Sequence, residues 1–281
     1  MAPPHGEALR LSATSGHRRG GTILTRRPLL LFLALLAILP LALAACGGGG
    51  DDDDDRDDDS KPADSDRDGV RDSRDDCKRE KEDEGVWGSD PNDGCPATIE
   101  DLIELARADI DFFWKEQFEA EDVLYEPPLN FTAYTSEIET ACGTATLDNA
   151  FYCSADHSIY YDINFLAREL DTNGDFGPVL IIAHEWGHLV QSLLGILAST
   201  ELLTIQTELQ ADCLAGVWAA DADRRGLLEE GDLEEGVITL FRVGDPRGID
   251  FFDPQAHGQP SERIQAFQDG FDLGLEGCTL D

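Results

Sequence analysis

Two histidines and a glutamate form the pattern in this sequence that is best suited to chemistry. His184, Glu185 and His188 read H-E-x-x-H. Residues four apart on a helix project from one face, so both imidazoles can bind one zinc ion while Glu185 reaches a water on it. The chain's own composition gives about 0.01 chance matches, which favours a metal site over a coincidence in a buried helix.

The flanking residues predict two helices that would position this site. Residues 179–183 are apolar nearly all round, so the helix over about 179–197 should be buried. Buried histidines without partners are unfavourable, and a metal ion would satisfy them. A second helix is predicted over 200–222, and it contains Glu208 and Asp212 four residues apart. Without a metal, these two acids would form an ordinary solvated helix face.

Other segments predict a mixed fold that is mainly helical with a small sheet. Thr98 begins a predicted helix with an acidic first turn that runs to about residue 118. Residues 129–135 alternate weakly and residues 158–163 are rich in β formers, so each predicts a strand. A further helix should start near Pro260. The fold class is therefore α+β, and one domain spans 98–281.

The N-terminal region predicts export and a lipid anchor. Arginines precede an apolar run that ends just before Cys46, so residues 1–45 read as a signal peptide. Small residues before Cys46 resemble a bacterial lipobox, in which this cysteine carries the lipid. An ordinary cleaved signal or a short membrane anchor are the alternatives. The expected location is the cell envelope, as a membrane-anchored lipoprotein facing an extracytoplasmic compartment.

Acidic residues dominate the chain, with 58 Asp and Glu against 21 Lys and Arg and a formal net charge of −37. Nucleic acid and anionic lipid headgroups are therefore excluded as expected partners. Residues 46–63 form a Gly/Asp-rich linker that should be disordered, because its like charges repel. The lipid on Cys46 would be the contact with the membrane.

Residues 64–97 form an acidic segment with the spacing of a calcium loop. Carboxylates fall at loop positions 1, 3, 5, 9 and 12, and Gly69 permits a turn at position 6. Together with the cysteine that follows, the segment resembles a thrombospondin type 3 repeat with structural Ca²⁺. The alternative is more disordered acidic linker. The predicted calcium ligands are Asp64, Asp66, Asp68, Asp72 and Asp75.

Seven cysteines are present, and six remain once Cys46 is assigned to the lipid. An even number in an exported chain predicts disulfides, although six cysteines allow fifteen connectivities. Proximity in sequence favours the pairs Cys77–Cys95 and Cys142–Cys153, which leaves Cys213–Cys278. A buried free thiol at Cys213 is the alternative to the last pair.

The two helical motifs together resemble the gluzincin metallopeptidases, and most closely the bacterial neutral zinc metallopeptidase family. In gluzincins, H-E-x-x-H is followed on a later helix by a glutamate with an aspartate four residues on. Here nineteen residues, 189–207, separate His188 from Glu208, near the gap of thermolysin-like members. The resemblance implies a zincin-like fold with Glu208 as third zinc ligand. It also implies that Asp212 accepts a hydrogen bond from a ligand imidazole, His184 being the first choice.

The resemblance also implies a reaction. Glu185 would act as general base on a zinc-activated water, and His257 or Arg263 would stabilise the oxyanion during hydrolysis of a peptide or protein substrate. A helix-capping or interhelix contact is the alternative for those two residues. Residues 158–163 would be either an edge strand that pairs with substrate or an ordinary sheet strand. The competing function is a non-catalytic envelope lipoprotein that uses a degenerate zincin domain for binding or adhesion.

Overall fold

The structure is a computed structural model that describes residues 98–250, 253 and 256–280, together with the isolated Ser73. The predicted signal peptide, the lipidation site Cys46, the five aspartates of the calcium loop and the pair Cys77–Cys95 lie outside the described residues. Among the helices that are described, none is long and apolar enough to cross a membrane.

Six α-helices and five short strands make up the described region, which confirms an α+β fold that is mainly helical. The sheet strands lie between the first two helices, and short 3-10 turns follow α3 and α6. In chain order the elements are α1 Ile99–Ala120, β1 Asn130–Tyr134, β2 Ile138–Thr140, β3 Gly143–Ala145, β4 Ala150–Cys153, β5 Ser158–Asp162, α2 Ile163–Asn173, α3 Phe176–Leu193, α4 Thr204–Arg225, α5 Asp232–Val243 and α6 Pro260–Leu273.

Helix α3 lies at the centre of the core. It packs against α1, α2, α4 and α5 as well as against strand β4, so it is apolar on almost every side. Trp186, Ile182 and Leu189 are completely buried on it. Since the surrounding elements cover all its faces, its polar side chains face either a partner or an internal cavity.

Helices α4 and α6 approach each other closely. A Cβ atom added to Gly270 would lie 1.9 Å from the carbonyl oxygen of Cys213, so only glycine fits there. The disulfide Cys213–Cys278 then joins α4 to the segment after α6, with a Cα–Cα distance of 5.5 Å. The close approach and the disulfide therefore hold α6 and the C-terminal segment against α4.

The main sheet has three strands in the order β1-β5-β4. Strand β5 pairs in parallel with β1 and antiparallel with β4. The sequence left residues 158–163 as either a substrate-pairing edge strand or an ordinary sheet strand. Strand β5 is the central strand, so the edge-strand alternative is wrong. The strand that contacts α3 at the edge of this sheet is β4, and the disulfide Cys142–Cys153 fixes its end.

An acidic cluster around Asp232, which is buried in the first turn of α5, predicts a pH-dependent stability. Asp232 lies close to Asp175 and Glu235, and its carboxylate accepts a hydrogen bond from the Glu229 amide at 2.9 Å. Burial, with a smaller contribution from Asp175, raises the pKa of Asp232 from 3.8 to about 6. A raised pKa means that the folded state binds the proton more tightly, so stability from this group declines as pH rises from 3.8 to 6.

We therefore expect Asp232→Asn to be more stable than the wild type at pH 8, because asparagine keeps the acceptor for the Glu229 amide without the buried charge. The gain should vanish near pH 4. Thermal unfolding of both proteins across this pH range, with exposed Asp171→Asn as the control for net charge, measures the effect. An equal gain at pH 4 and pH 8 would contradict it.

Candidate metal centre

Three side chains from two helices meet at one point beside the core. His184 and His188 lie on α3 and Glu208 lies on α4, and each offers a ligand atom within 4.8 Å of the others. Glu208 Oε2 lies 3.3 Å from His184 Nε2, and Glu208 Oε1 lies 3.4 Å from His188 Nε2. The residues that the sequence predicted as a zinc triad are thus brought together.

The close approach of α3 and α4 depends on a glycine within the H-E-x-x-H motif. A Cβ atom at Gly187 would lie 2.8 Å from the carbonyl oxygen of Ala211 and 3.1 Å from its Cβ atom. Any side chain at position 187 would therefore push α4 away. Because Glu208 lies one turn before Ala211, the separation of Glu208 from the histidines would increase as well.

The hydrogen bonds behind the histidines determine which nitrogen faces Glu208. His184 Nδ1 lies 2.7 Å from Asp212 Oδ1, and His188 Nδ1 lies 2.8 Å from Gln191 Oε1. Both partners are acceptors, so each Nδ1 carries the hydrogen and each Nε2 is directed at Glu208. The two Nε2 atoms and the Glu208 carboxylate therefore converge on one point, where His184 is buried and the other two residues are partly buried.

Such a donor set requires a positive charge at its centre, and it matches the N and O ligands that Zn²⁺ prefers. The electrostatics of the chain alone point the same way. Burial opposes a charge on His184, but Asp212 and Glu208 outweigh burial and raise its pKa to about 10. Burial likewise opposes ionisation of Glu208, yet the two histidines hold its pKa well below the usual range.

Asp212 is completely buried and is held by Arg263 from α6. The guanidinium donates to both carboxylate oxygens, with Nε 2.7 Å from Oδ2 and Nη2 2.7 Å from Oδ1. Burial alone would raise the pKa of Asp212, but Arg263 and His184 outweigh it and lower that pKa. Asp212 therefore stays ionised and accepts from His184, as the sequence predicted.

Glu185 lies beside the three ligands without belonging to their cluster. Its Oε2 accepts a hydrogen bond from the backbone amide of Tyr152 on β4 at 2.8 Å. Burial raises the pKa of Glu185, and Glu208 raises it further against the opposing histidines. A carboxylate with a raised pKa and one oxygen held in place is suited to accept and return a proton.

A cavity of about 640 Å³ opens over these residues. One wall is strand β4, and another is apolar and comes from α2, α3 and α5. Besides the charged and metal-binding groups, the lining includes Ala150, Phe151, Phe165, Ile181, Leu240 and Val243. An extended chain with apolar side chains could lie between the two walls.

His257 and Arg263 both line this cavity but differ in the exposure and hydrogen bonding of their side chains. The His257 side chain is 54 % exposed, and its backbone amide donates to Asp245. Arg263 is buried, and its third donor, Nη1, lies 3.3 Å from the carbonyl oxygen of Val243. The guanidinium is thus directed at Asp212 and the backbone, whereas the His257 imidazole is largely exposed, with Nδ1 3.7 Å from Asp245 Oδ1.

Two groups at the site were not predicted from the sequence. The amide of Tyr152 that holds Glu185 belongs to the backbone, so no residue type could reveal it. Gln191 follows His188 by three residues, which is one helical turn, and that spacing was the one available signal.

Comparison with known proteins agrees with this geometry. Residues 92–279 match the family described as "Putative neutral zinc metallopeptidase". The chain belongs to this family. The match covers both helical motifs and the whole of the described cavity, so the metal ligands and Glu185 lie within the family region.

Similar proteins exist in distant bacteria. The uncharacterized protein YpfJ of Escherichia coli K12 is 35% identical over 206 residues, which cover 66% of this chain and 70% of that protein. The uncharacterized protein Rv2575 of Mycobacterium tuberculosis H37Rv is 30% identical over 169 residues, or 50% of this chain and 58% of that protein. No solved structure matches the chain.

The buried ion pair behind His184 predicts a large effect on stability. Arg263→Met should lower the free energy of unfolding by about 3–5 kcal/mol, because it leaves the Asp212 charge buried without compensation. Urea denaturation of the chelator-treated protein measures this loss. Arg225→Met is the matched control, since Arg225 also donates twice to an aspartate, Asp109, but is 34% exposed. It should lose about 1 kcal/mol or less. Equal losses for the two variants would contradict the prediction.

Proposed function

We propose that the chain is a zinc-dependent metallopeptidase that hydrolyses peptide bonds in its central cavity. The observation that carries the proposal is the convergence of His184, His188 and Glu208 on one buried point, with Glu185 beside them. Three protein ligands leave a fourth position for water or substrate, as catalytic zinc sites require. When bound, Zn²⁺ supplies Lewis acidity toward the water and the substrate carbonyl.

Glu185 is the proton carrier in this proposal. The Tyr152 amide holds Oε2 at 2.8 Å, which leaves Oε1 to take a proton from the attacking water. Burial raises the pKa of Glu185, which favours uptake of that proton before it passes to the leaving amine. The peptide C–N bond breaks as the amine nitrogen receives the proton.

Strand β4 is the element that positions substrate in this proposal. It lies at the edge of the three-stranded sheet, and Ala150, Phe151 and Tyr152 line the cavity. An extended peptide can add to such an edge through main-chain hydrogen bonds, and its scissile carbonyl then lies over the active-site helix. We therefore assign to β4 the pairing with substrate that the sequence had suggested for residues 158–163.

Of the two oxyanion candidates, His257 is the one that we assign to substrate. Its side chain is exposed and lines the cavity, so it can move to the developing negative charge. Arg263 bonds to Asp212 with two donors, which makes it a positioning residue for His184 in this account.

The location and the calcium segment are proposals from the sequence alone. A signal peptide at 1–45 and a lipidated Cys46 would tether the enzyme at the cell envelope. The acidic linker 46–63 would hold the domain off the membrane. Structural Ca²⁺ bound by the aspartates of 64–75 would stiffen the connection to the catalytic domain.

The central test is Glu185→Gln. The variant should retain zinc near the wild-type level, because Glu185 is not a ligand, but it should lose hydrolysis of casein or a peptide library. Metal analysis and turnover are measured together, with exposed Glu201→Gln as the control. Wild-type turnover in the variant would contradict the mechanism. If the wild-type protein contains zinc but cleaves no peptide, the non-catalytic function in binding or adhesion would be favoured instead.

His257→Ala tests the oxyanion assignment. Loss of one such donor lowers kcat by about 10²–10³-fold in comparable sites. We expect a fall in kcat of that order with KM and zinc content little changed, since His257 lies outside the ligand cluster. A rise in KM with unchanged kcat would show instead that His257 contributes only to binding.

A further inference from the structure

Behind His188 lie two amide side chains, the buried Gln191 and the partly buried Gln210, to which the proposed mechanism gives no role. Gln191 is completely buried on α3, one turn after His188. Its Oε1 accepts from His188 Nδ1 at 2.8 Å. Its Nε2 lies 2.7 Å from the carbonyl oxygen of Thr207 and 3.1 Å from Gln210 Oε1. Both ends of the amide are therefore engaged.

These contacts determine the orientation of the Gln191 amide. Two acceptors, Thr207 O and Gln210 Oε1, surround one end, so that end must be the NH₂ group. The oxygen then faces His188, which must carry its hydrogen on Nδ1. As a result the His188 Nε2 lone pair faces Glu208 and is available to a metal ion.

The same amide connects the two ligand helices. Thr207 is the residue directly before Glu208, so the hydrogen bond from Gln191 Nε2 fixes the backbone of α4 beside the third ligand. One buried side chain on α3 therefore sets both the His188 ring and the position of the turn that carries Glu208.

Gln210 continues this set of contacts to the C-terminal segment. Its Oε1 accepts from Gln191, and its Nε2 donates to the carbonyl oxygen of Cys278 at 2.9 Å. Cys278 is in turn joined by a disulfide to Cys213 on α4. The Gln210 amide is thus fixed from both ends, and it holds Gln191 in its single orientation.

We propose that Gln191 is the positioning residue of His188, and that Gln210 together with the Cys278 carbonyl keeps Gln191 in the orientation that prepares His188 for metal binding. This inference rests on the metal site proposed above. It parallels the role of Asp212 behind His184 but uses neutral groups, so it orients His188 without adding charge to the site. Groups that orient a ligand histidine typically contribute 10–100-fold to metal affinity.

Gln191→Met tests the proposal, because methionine keeps the length of the side chain and removes all three hydrogen bonds. We expect the zinc dissociation constant, measured by competition with a fluorescent chelator, to rise about 10–100-fold. Gln210→Met leaves the His188 contact in place but frees the amide, so it should weaken zinc binding in the same direction by a smaller factor. Exposed Gln265→Met on α6 is the control, and it should bind zinc as the wild type does.

A second readout separates positioning from mere packing and needs no metal. In the wild-type apoprotein the ¹⁵N spectrum of His188 should show hydrogen on Nδ1, and in Gln191→Met a large share should move to Nε2. An unchanged tautomer together with zinc affinity within twofold of wild type would overturn the proposal. If Gln191→Met does not fold, Gln210→Met decides, and unchanged zinc affinity there overturns it. Absence of zinc binding by the wild type would instead refute the proposed function, while the tautomer would still test Gln191.

Discussion

The structure depends on one electrostatic constraint, which is the need to place a positive charge between His184, His188 and Glu208. Two imidazole nitrogens and a carboxylate are held within 4.8 Å of one another at the edge of an apolar core. Such a cluster is unfavourable unless a cation lies within it. Helix α3 is buried on nearly every side because α1, α2, α4, α5 and β4 pack around it, and the three ligands lie where the cavity reaches it.

The groups behind the ligands explain how the fold sustains the cluster. His184 is backed by Asp212 and Arg263, a charged pair that joins α3, α4 and α6. His188 is backed by Gln191, a neutral amide that joins α3 to α4. Both histidines therefore direct Nε2 inward, and their orientation is established before a metal arrives. Glu185 is oriented separately, through the backbone of β4, so the base and the ligands are controlled by different elements.

Much of this could be predicted from the sequence where residue spacing encodes geometry. The H-E-x-x-H and E-x-x-x-D spacings correspond to single helix faces, so the ligand helices followed from them. The α+β class followed from these helices together with the β-forming residues at 129–135 and 158–163. Helix α1 begins at Ile99, directly after the predicted start at Thr98, which is its N-cap and bonds reciprocally with Asp101. Cys142–Cys153, favoured by proximity, and Cys213–Cys278, the pair that was left over, are both bridged in the structure.

Other features could not be predicted because they depend on contacts between distant residues. Arg263 lies 51 residues from Asp212, so nothing in the spacing showed that its guanidinium would be directed there. Strand β4 is the sheet edge beside α3 because β5 pairs on both sides, which depends on strand order rather than on composition.

The most direct measurement of the central claim is a crystal structure of the zinc-loaded protein with anomalous data collected at the zinc absorption edge. The account predicts one strong peak about 2.0–2.2 Å from His184 Nε2, His188 Nε2 and a Glu208 oxygen. Gln191 and Asp212 should keep their contacts with the histidines in that structure. A peak elsewhere in the domain, or none at this point in a zinc-saturated crystal, would contradict it.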